Sequence, residues 1–350
     1  MFKIGVIGDI FPGNLDYHIG TGIASKFHKH QGEPWLKTIQ DLFSPCKYVV
    51  GNLEAPLVHD NLNPHKKAFI GSTNFATFLK RAGVNIISVA NNHMLDHGSE
   101  AFLSTIKALK NAGIHASGYL NEQKQPHLEF IDENNIGFCA FNDIHDNLEN
   151  IKYLTSLSNN NIQYAIKGFS QSKAKLKIAS VHWGNEYINY PSSQQIVTAR
   201  KMIDLGFDIV IGHHPHVVQP EELYQQGIIY YSMGNFMFDS VYANNVRNSK
   251  ISYCTISDNY TVTESAFKNI RIQKNYTIVP LINGYCENIQ TQYLPLIKNY
   301  KADQKDEYDK TYFKQVRNNR YIQRLKMKKD LLKELMRFNP QVIQRLLRIK

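Results

Sequence analysis

Short apolar runs recur along the first half of the chain, at residues 2–8 (FKIGVIG), 48–51, 84–90 (VNIISVA), 136–141 and 176–182 (LKIASVH). Each has the length and β-branched content of a strand, and the segments between them space their apolar residues as a helix face does. The pattern predicts alternating strands and helices, an α/β fold. Helix punctuation agrees with it: Pro34 suits the first turn of WLKTIQDLF, Ser72 or Thr73 can cap NFATFLKRA, and Gly83 and Gly113 follow helix ends. Residues 207–238 read as two or three strands joined by tight turns and 251–285 as further alternating segments, so the second half is richer in strand. The asparagine-rich stretch 143–175 reads as a helix and a surface loop.

From about residue 300 the chain changes to a charged, helix-forming sequence ending in RFNPQVIQRLLRIK, where Asn339 can cap and Pro340 can open a final helix. A boundary is therefore expected near residue 300, with one domain at 1–300 and a basic helical tail at 301–350.

Charge sharpens that division. Of the formal charge of +10, residues 310–350 hold 13 Lys/Arg against Asp330 and Glu334, whereas residues 1–309 hold 27 Lys/Arg against 28 Asp/Glu. The basic balance belongs to the tail and says little about the rest. A length of 350 residues with 43% hydrophobic content can fill a sizeable core. Cys46, Cys139, Cys254 and Cys286 are far apart in sequence and form no CxxC pair, which suggests neither a zinc ribbon nor a disulfide framework. The start, MFKIGVIGDI, is too short in apolar residues for a signal peptide. No apolar run reaches the roughly 20 residues of a spanning helix. The expected location is cytoplasmic, with a peripheral place at the inner face of the membrane open to the basic tail.

The candidate chemistry falls at the ends of the predicted strands, where ligands gather in open α/β sheets. GHHPHVVQP puts His213, His214 and His216 within four residues after an apolar run. A His-x-His in extended backbone would send the rings of His214 and His216 to one side, as metal ligation requires. SVANNHMLDHG delivers Asn92, His93 and Asp96 to a strand–helix turn; the asparagine carbonyl can ligate a metal and the adjacent imidazole can act on a leaving group. SVHWGNEY ends a strand on His182, followed by Glu186, a carboxylate that could fix an imidazole tautomer. VIGDIFPGN and VVGNLEAPL add Asp9 and Glu54, and one carboxylate can bridge two ions ~3.5–4 Å apart.

The ordered set GDIFPGN, GNLEAPL, ANNHMLDHG, HWGNEY, GHHPHVVQP and YSMGNFMFD, spanning residues 4–239, resembles the CapA family of capsule and poly-γ-glutamate synthesis proteins. That family is in turn similar to the calcineurin-like metallophosphoesterases. The resemblance implies a metallo-dependent phosphatase-like fold, a two-sheet β-sandwich flanked by helices, followed here by the basic helical tail. It also implies one or two divalent ions (Mn, Fe or Zn) held by Asp9, Glu54, Asn92, His182, His214 and His216. The bridging acid of its second motif corresponds to Glu54 or to Asn52, and His93 to the general acid, with Asp96 and Glu186 completing the candidate catalytic group. Asn52 and Asn235 are expected to shape the site. Where the metallophosphoesterase pattern has Asp-x-His, this chain has Asp9, Ile10 and Phe11, so one ligand position is lost.

The function expected from all this is metal-dependent hydrolysis of an acidic small-molecule or polymer substrate in capsule or surface-polymer synthesis. The alternative is a non-catalytic polymer-binding or assembly component. Members of the family carry an N-terminal anchor; residues 310–350, basic and amphipathic, are expected to substitute for it on anionic lipid or on capsule-synthesis partners. Nucleic acid is not an expected partner.

Overall fold

The computed structural model describes residues 1–144, 150–240 and 242–335; the expected final helix at Asn339 and Pro340 lies outside them. In chain order the strands are β1 (Phe2–Ile10), β2 (Tyr48–Leu53), β3 (Leu57–Val58), β4 (Gly71–Ser72), β5 (Ile86–Ser88), β6 (His115–Ser117), β7 (Glu129–Ile131), β8 (Ile136–Asn142), β9 (Leu176–His182), β10 (Ile209–His213), β11 (Glu221–Tyr224), β12 (Gly227–Tyr230), β13 (Asn235–Met237), β14 (Asn248–Ile256), β15 (Val262–Ile272) and β16 (Ile278–Pro280).

They form two main sheets. One runs β16-β15-β14-β1-β2-β5-β6, with β13 beside the end of β1; the other runs β11-β12-β10-β9-β8-β7. Strands β1, β2, β5 and β6 are parallel to one another, as are β8, β9, β10 and β12. Alternation along the strands explains the layering. Ile4 and Val6 of β1 and Phe138 and Ala140 of β8 fill the core between the sheets. Ile7 and Ile10 turn the other way, toward helices Glu33–Phe43, Asn74–Ala82 and Gly98–Asn111. Cys139 and Phe141 do the same on the second sheet, against helices Asn159–Gln171 and Ser193–Asp204. Strands covered on both faces read as continuous apolar runs, which is why they were visible in the sequence.

The predicted runs and the observed strands differ at their ends for local reasons. β1 continues to Ile10 because β13 pairs with Asp9 and Ile10 in parallel and supplies partners for two more residues. β5 stops at Ser88, where Val89 N–H bonds Ser117 O and the chain leaves the ladder. Residues 207–238 contain four strands rather than two or three, because β13 crosses to the first sheet. Helix Ser193–Asp204 opens on a capping box in which Ser192 and Gln195 satisfy each other's backbone N–H groups.

Two glycines allow backbones to meet beside the site. A Cβ on Gly8 would lie 1.9 Å from Gly234 O, and one on Gly212 would lie 1.9 Å from Tyr231 O. Each precedes a residue of the site, Asp9 or His213, so any side chain there would push a strand end out of place.

The expected boundary near 300 falls between helix Tyr285–Lys298 and helix Lys305–Leu335. The latter lies against the body of the fold: Tyr312 and Val316 pack on Ile188 and Tyr190, Tyr308 Oη donates to Pro191 O at 2.7 Å, and Asn319 donates to Tyr187 O at 3.0 Å. Among the described residues no helix is long and apolar enough to cross a membrane.

Candidate metal centre

The carboxyl ends of β1, β2 and β5 in one sheet and of β9 and β10 in the other converge, and each brings polar side chains into a buried cluster. Asp9, Asn52 and Glu54 are fully buried, and Asn92, His182, His214 and His216 nearly so. Ligand atoms of Glu54, His182 and His214 lie within 4.8 Å of one another, and so do those of Asp9, Glu54 and His216. Glu54 is common to both groups. Its Oε1 is 3.8 Å from His182 Nε2 and 3.6 Å from His216 Nε2, and Asn92 Oδ1 lies 3.0 Å from His182 Nε2. Of the two positions expected for the bridging acid, Glu54 belongs to both groups; Asn52 donates to Asp9 Oδ1 at 2.9 Å and reaches Glu54 at 3.5 Å, and Asn91 donates in turn to Asn52 Oδ1 at 3.1 Å.

The His-x-His geometry is not the extended one expected. His214 and His216 have φ of 92° and 56°, left-handed backbone imposed by the turn through Pro215, and their ring centroids are 6.0 Å apart. Both rings still lie near Glu54, His214 in one group of potential ligands and His216 in the other. Asn235, beside Asp9 in the β1–β13 register, accepts from His216 Nδ1–H at 3.0 Å through its Oδ1 and donates to Val246 O through its amide nitrogen.

The electrostatics ask for a cation. Burial and the neighbouring Asp9 carboxylate push Glu54 well above the usual range, and its Oε1 has no hydrogen-bond partner. Burial would raise Asp9 too, but hydrogen bonds and charge from His213 and His216 hold it well below the ordinary value. His216, which burial alone would lower, is pushed up to about 10 chiefly by Glu54 and Asp9; a proton there offsets the charge a metal would otherwise offset. Burial and the neighbouring imidazoles push His182 well down and His214 to about 3, leaving both neutral, the form that ligates, and His214 Nδ1 has no partner. The donor set therefore fits divalent ions.

The remaining expected residues stand at the rim. His93 is partly exposed, its Nδ1 2.8 Å from Asp96 Oδ2 and its Nε2 3.3 Å from the Asn92 amide nitrogen. Among the described residues Glu186 hydrogen-bonds no imidazole; Asp96 and Asn235 orient His93 and His216 instead, and Glu186 lines a cavity with both. Phe11, at the lost ligand position, is fully buried between Phe238 (stacked, 4.8 Å) and Phe69 (5.3 Å), so that position itself offers no donor.

Two contributors were missed by sequence reasoning. His213, the first of the three clustered histidines, holds Asp9 Oδ1 at 2.9 Å. Asp239, the last residue of YSMGNFMFD, pairs with buried His18 at 3.1 Å and accepts from Leu15 N–H at 2.7 Å, tying down the loop after β1. Its place at the end of that motif was the one signal for it; His18 offered none.

Comparison with known proteins follows the same residues. The sequence profile described as bacterial capsule synthesis protein PGA_cap matches residues 3–240. Capsule biosynthesis protein CapA of Bacillus anthracis is 30% identical over 264 residues, 71% of this chain and 62% of that protein. PGA biosynthesis protein CapA of Bacillus subtilis is 30% identical over 258 residues, 71% of this chain and 66% of that one. The chain spans less than two thirds of either relative's length. Among solved structures, a hypothetical protein from Thermus thermophilus overlays with a TM-score of 0.48 at 13% identity, covering 77% of this chain and 99% of that one. A 5'-nucleotidase precursor from the same organism gives 0.44 at 10% identity, covering 77% and 54%. At those scores the fold assignment rests on the sheet topology above.

Proposed function

Because the chain belongs to the family of bacterial capsule synthesis protein PGA_cap, we propose that it is a divalent-metal-dependent hydrolase acting in the synthesis of a capsule or similar polyanionic, poly-γ-glutamate-like surface polymer. The observation that carries the reading is Glu54, a fully buried carboxylate shared by two groups of potential ligands at converging strand ends.

Asp9, Glu54 and His216 would hold one ion, and Glu54, Asn92, His182 and His214 a second. Ions bound there lower the pKa of water and neutralise charge that develops on a substrate oxygen. The protein supplies the rest. Asp9 and Glu54 provide the negative charge, while His213, Asn52 and Asn235 hold Asp9 and His216 in orientation. His93 is the group to protonate the departing atom: it lines the cavity, and Asp96 holds its Nδ1 at 2.8 Å.

A second reading, a polymer-binding assembly component with little hydrolysis, is favoured by Phe11, which leaves the Asp9 group one ligand short. An assay of the purified chain on phosphoesters and γ-glutamyl amides decides between them. The hydrolase reading expects turnover that EDTA abolishes and added Mn or Zn restores. Turnover that survives chelation contradicts the metal role, and no turnover on any substrate moves the protein to the second reading.

A further inference from the structure

A cavity of about 440 Å³ is lined by His93, Glu186 and His216 beside the cluster. Helix Lys305–Leu335 adds Arg320, Gln323 and Arg324 to the same lining. That helix lies outside the segment matched by the family profile, which ends at residue 240. We infer that these three residues are the substrate-recognition wall of the site, built to hold an amide-linked chain bearing carboxylates. This rests on the hydrolytic reading for what the cavity is used for, but not for what it binds.

Positions 320, 323 and 324 are spaced i, i+3 and i+4, so they share one helix face. The face is oriented toward the site by specific contacts. Arg320 donates to Asn185 Oδ1 at 2.9 Å, Asn319 to Tyr187 O at 3.0 Å, and Asn185 donates to Tyr312 Oη at 3.3 Å. All three anchors are on the loop that follows His182. The helix is thus fixed to the same segment that positions a candidate ligand, and the charge of Arg320 is felt at His214.

The chemistry of the wall is selective. The lining carries two guanidiniums and one carboxylate, Glu186, and planar guanidinium forks suit carboxylates in pairs. Gln323 is more than nine-tenths buried, yet its side-chain carbonyl oxygen has no hydrogen-bond partner. A buried acceptor left open is costly unless a donor arrives. A fully ionised inorganic anion brings no donor and phosphate near neutral pH brings at most its P–OH, whereas an amide-linked polyacid brings N–H groups between its carboxylates. The basic character expected of the tail as a lipid or partner contact is, in this stretch, turned toward the site.

The test measures calorimetric binding of penta-γ-glutamate and of inorganic phosphate to the full chain at fixed ionic strength, with bound metal measured on the same samples. Arg320→Ala/Arg324→Ala is expected to weaken pentaglutamate binding by about tenfold or more for each guanidinium removed, with phosphate affinity falling less and metal content nearly unchanged. Arg324→Glu serves as the second variant; Arg324 is exposed and bonds to no side chain among the described residues, so its loss leaves the helix anchors intact. Pentaglutamate binding that is undetectable in the parent, unchanged in both variants, or weakened no more than phosphate binding overturns the inference. Arginine-dependent pentaglutamate binding in a protein that takes up no metal would uphold it while removing the hydrolase reading; metal-dependent turnover untouched by both variants would do the reverse.

Discussion

Glu54→Gln is expected to empty both ligand groups and to lower turnover by about a thousandfold or more, while leaving the metal-free protein at least as stable as its parent. The first part follows from position. Among the described residues Glu54 is the one member common to the two groups of potential ligands, so its loss touches both. Losing the Lewis-acid contribution of bound ions removes several kcal/mol of transition-state stabilisation, and each 1.36 kcal/mol is about tenfold in rate. The second part follows from burial. Without metal, two carboxylates share a fully buried space, and Glu54 is held far above its ordinary pKa by burial and by Asp9; an uncharged amide of the same shape relieves that conflict. Metal-loaded parent protein gains stability by mass action that the variant cannot. Thermal melts with chelator and with added Mn, beside kinetics and metal content, check both parts. A variant that keeps its metal and its rate contradicts the bridging role, and one that melts well below the parent in chelator contradicts the electrostatic account.

His93→Ala is expected to lower turnover by about a hundredfold to ten-thousandfold with metal content unchanged. His93 belongs to neither ligand group, so its removal leaves the ions' donors intact. It lines the cavity and is oriented by Asp96 at 2.8 Å. Asp96→Asn should reproduce part of the loss, because it weakens the hold on Nδ1 without deleting the imidazole. Full turnover in His93→Ala would remove it from the chemistry. A parallel fall in metal and rate would make it a supporting residue of the centre instead of an acid.

The sequence made the site's residues legible and its geometry much less so. Strands β1, β2, β8 and β9 were visible because both faces are covered and the apolar runs are nearly continuous, with Lys3 and Lys177 near the strand starts as the charged interruptions. Asp9, Glu54, Asn92 and His182 were visible because each follows or ends such a run. The left-handed turn at His214 and His216 was not, since a His-x-His spacing is compatible with extended and turned backbone alike. The role of His213 was hidden for the same reason: three clustered histidines do not reveal which one meets Asp9. Nor could spacing show that Arg320 and Arg324 face the cavity. A basic amphipathic helix reads identically whether its face meets lipid, solvent or a site far earlier in the chain, and the contacts that decide it, Arg320 to Asn185 and Asn319 to Tyr187, are long-range.

The most direct test of the account is elemental analysis of protein purified without a histidine tag, comparing the parent with His214→Ala/His216→Ala. The account predicts about one or two equivalents of transition metal in the parent, from the two ligand groups that share Glu54, and near none in the variant. A parent that stays metal-free after Mn and Zn are supplied, or a variant that keeps its full complement, contradicts it.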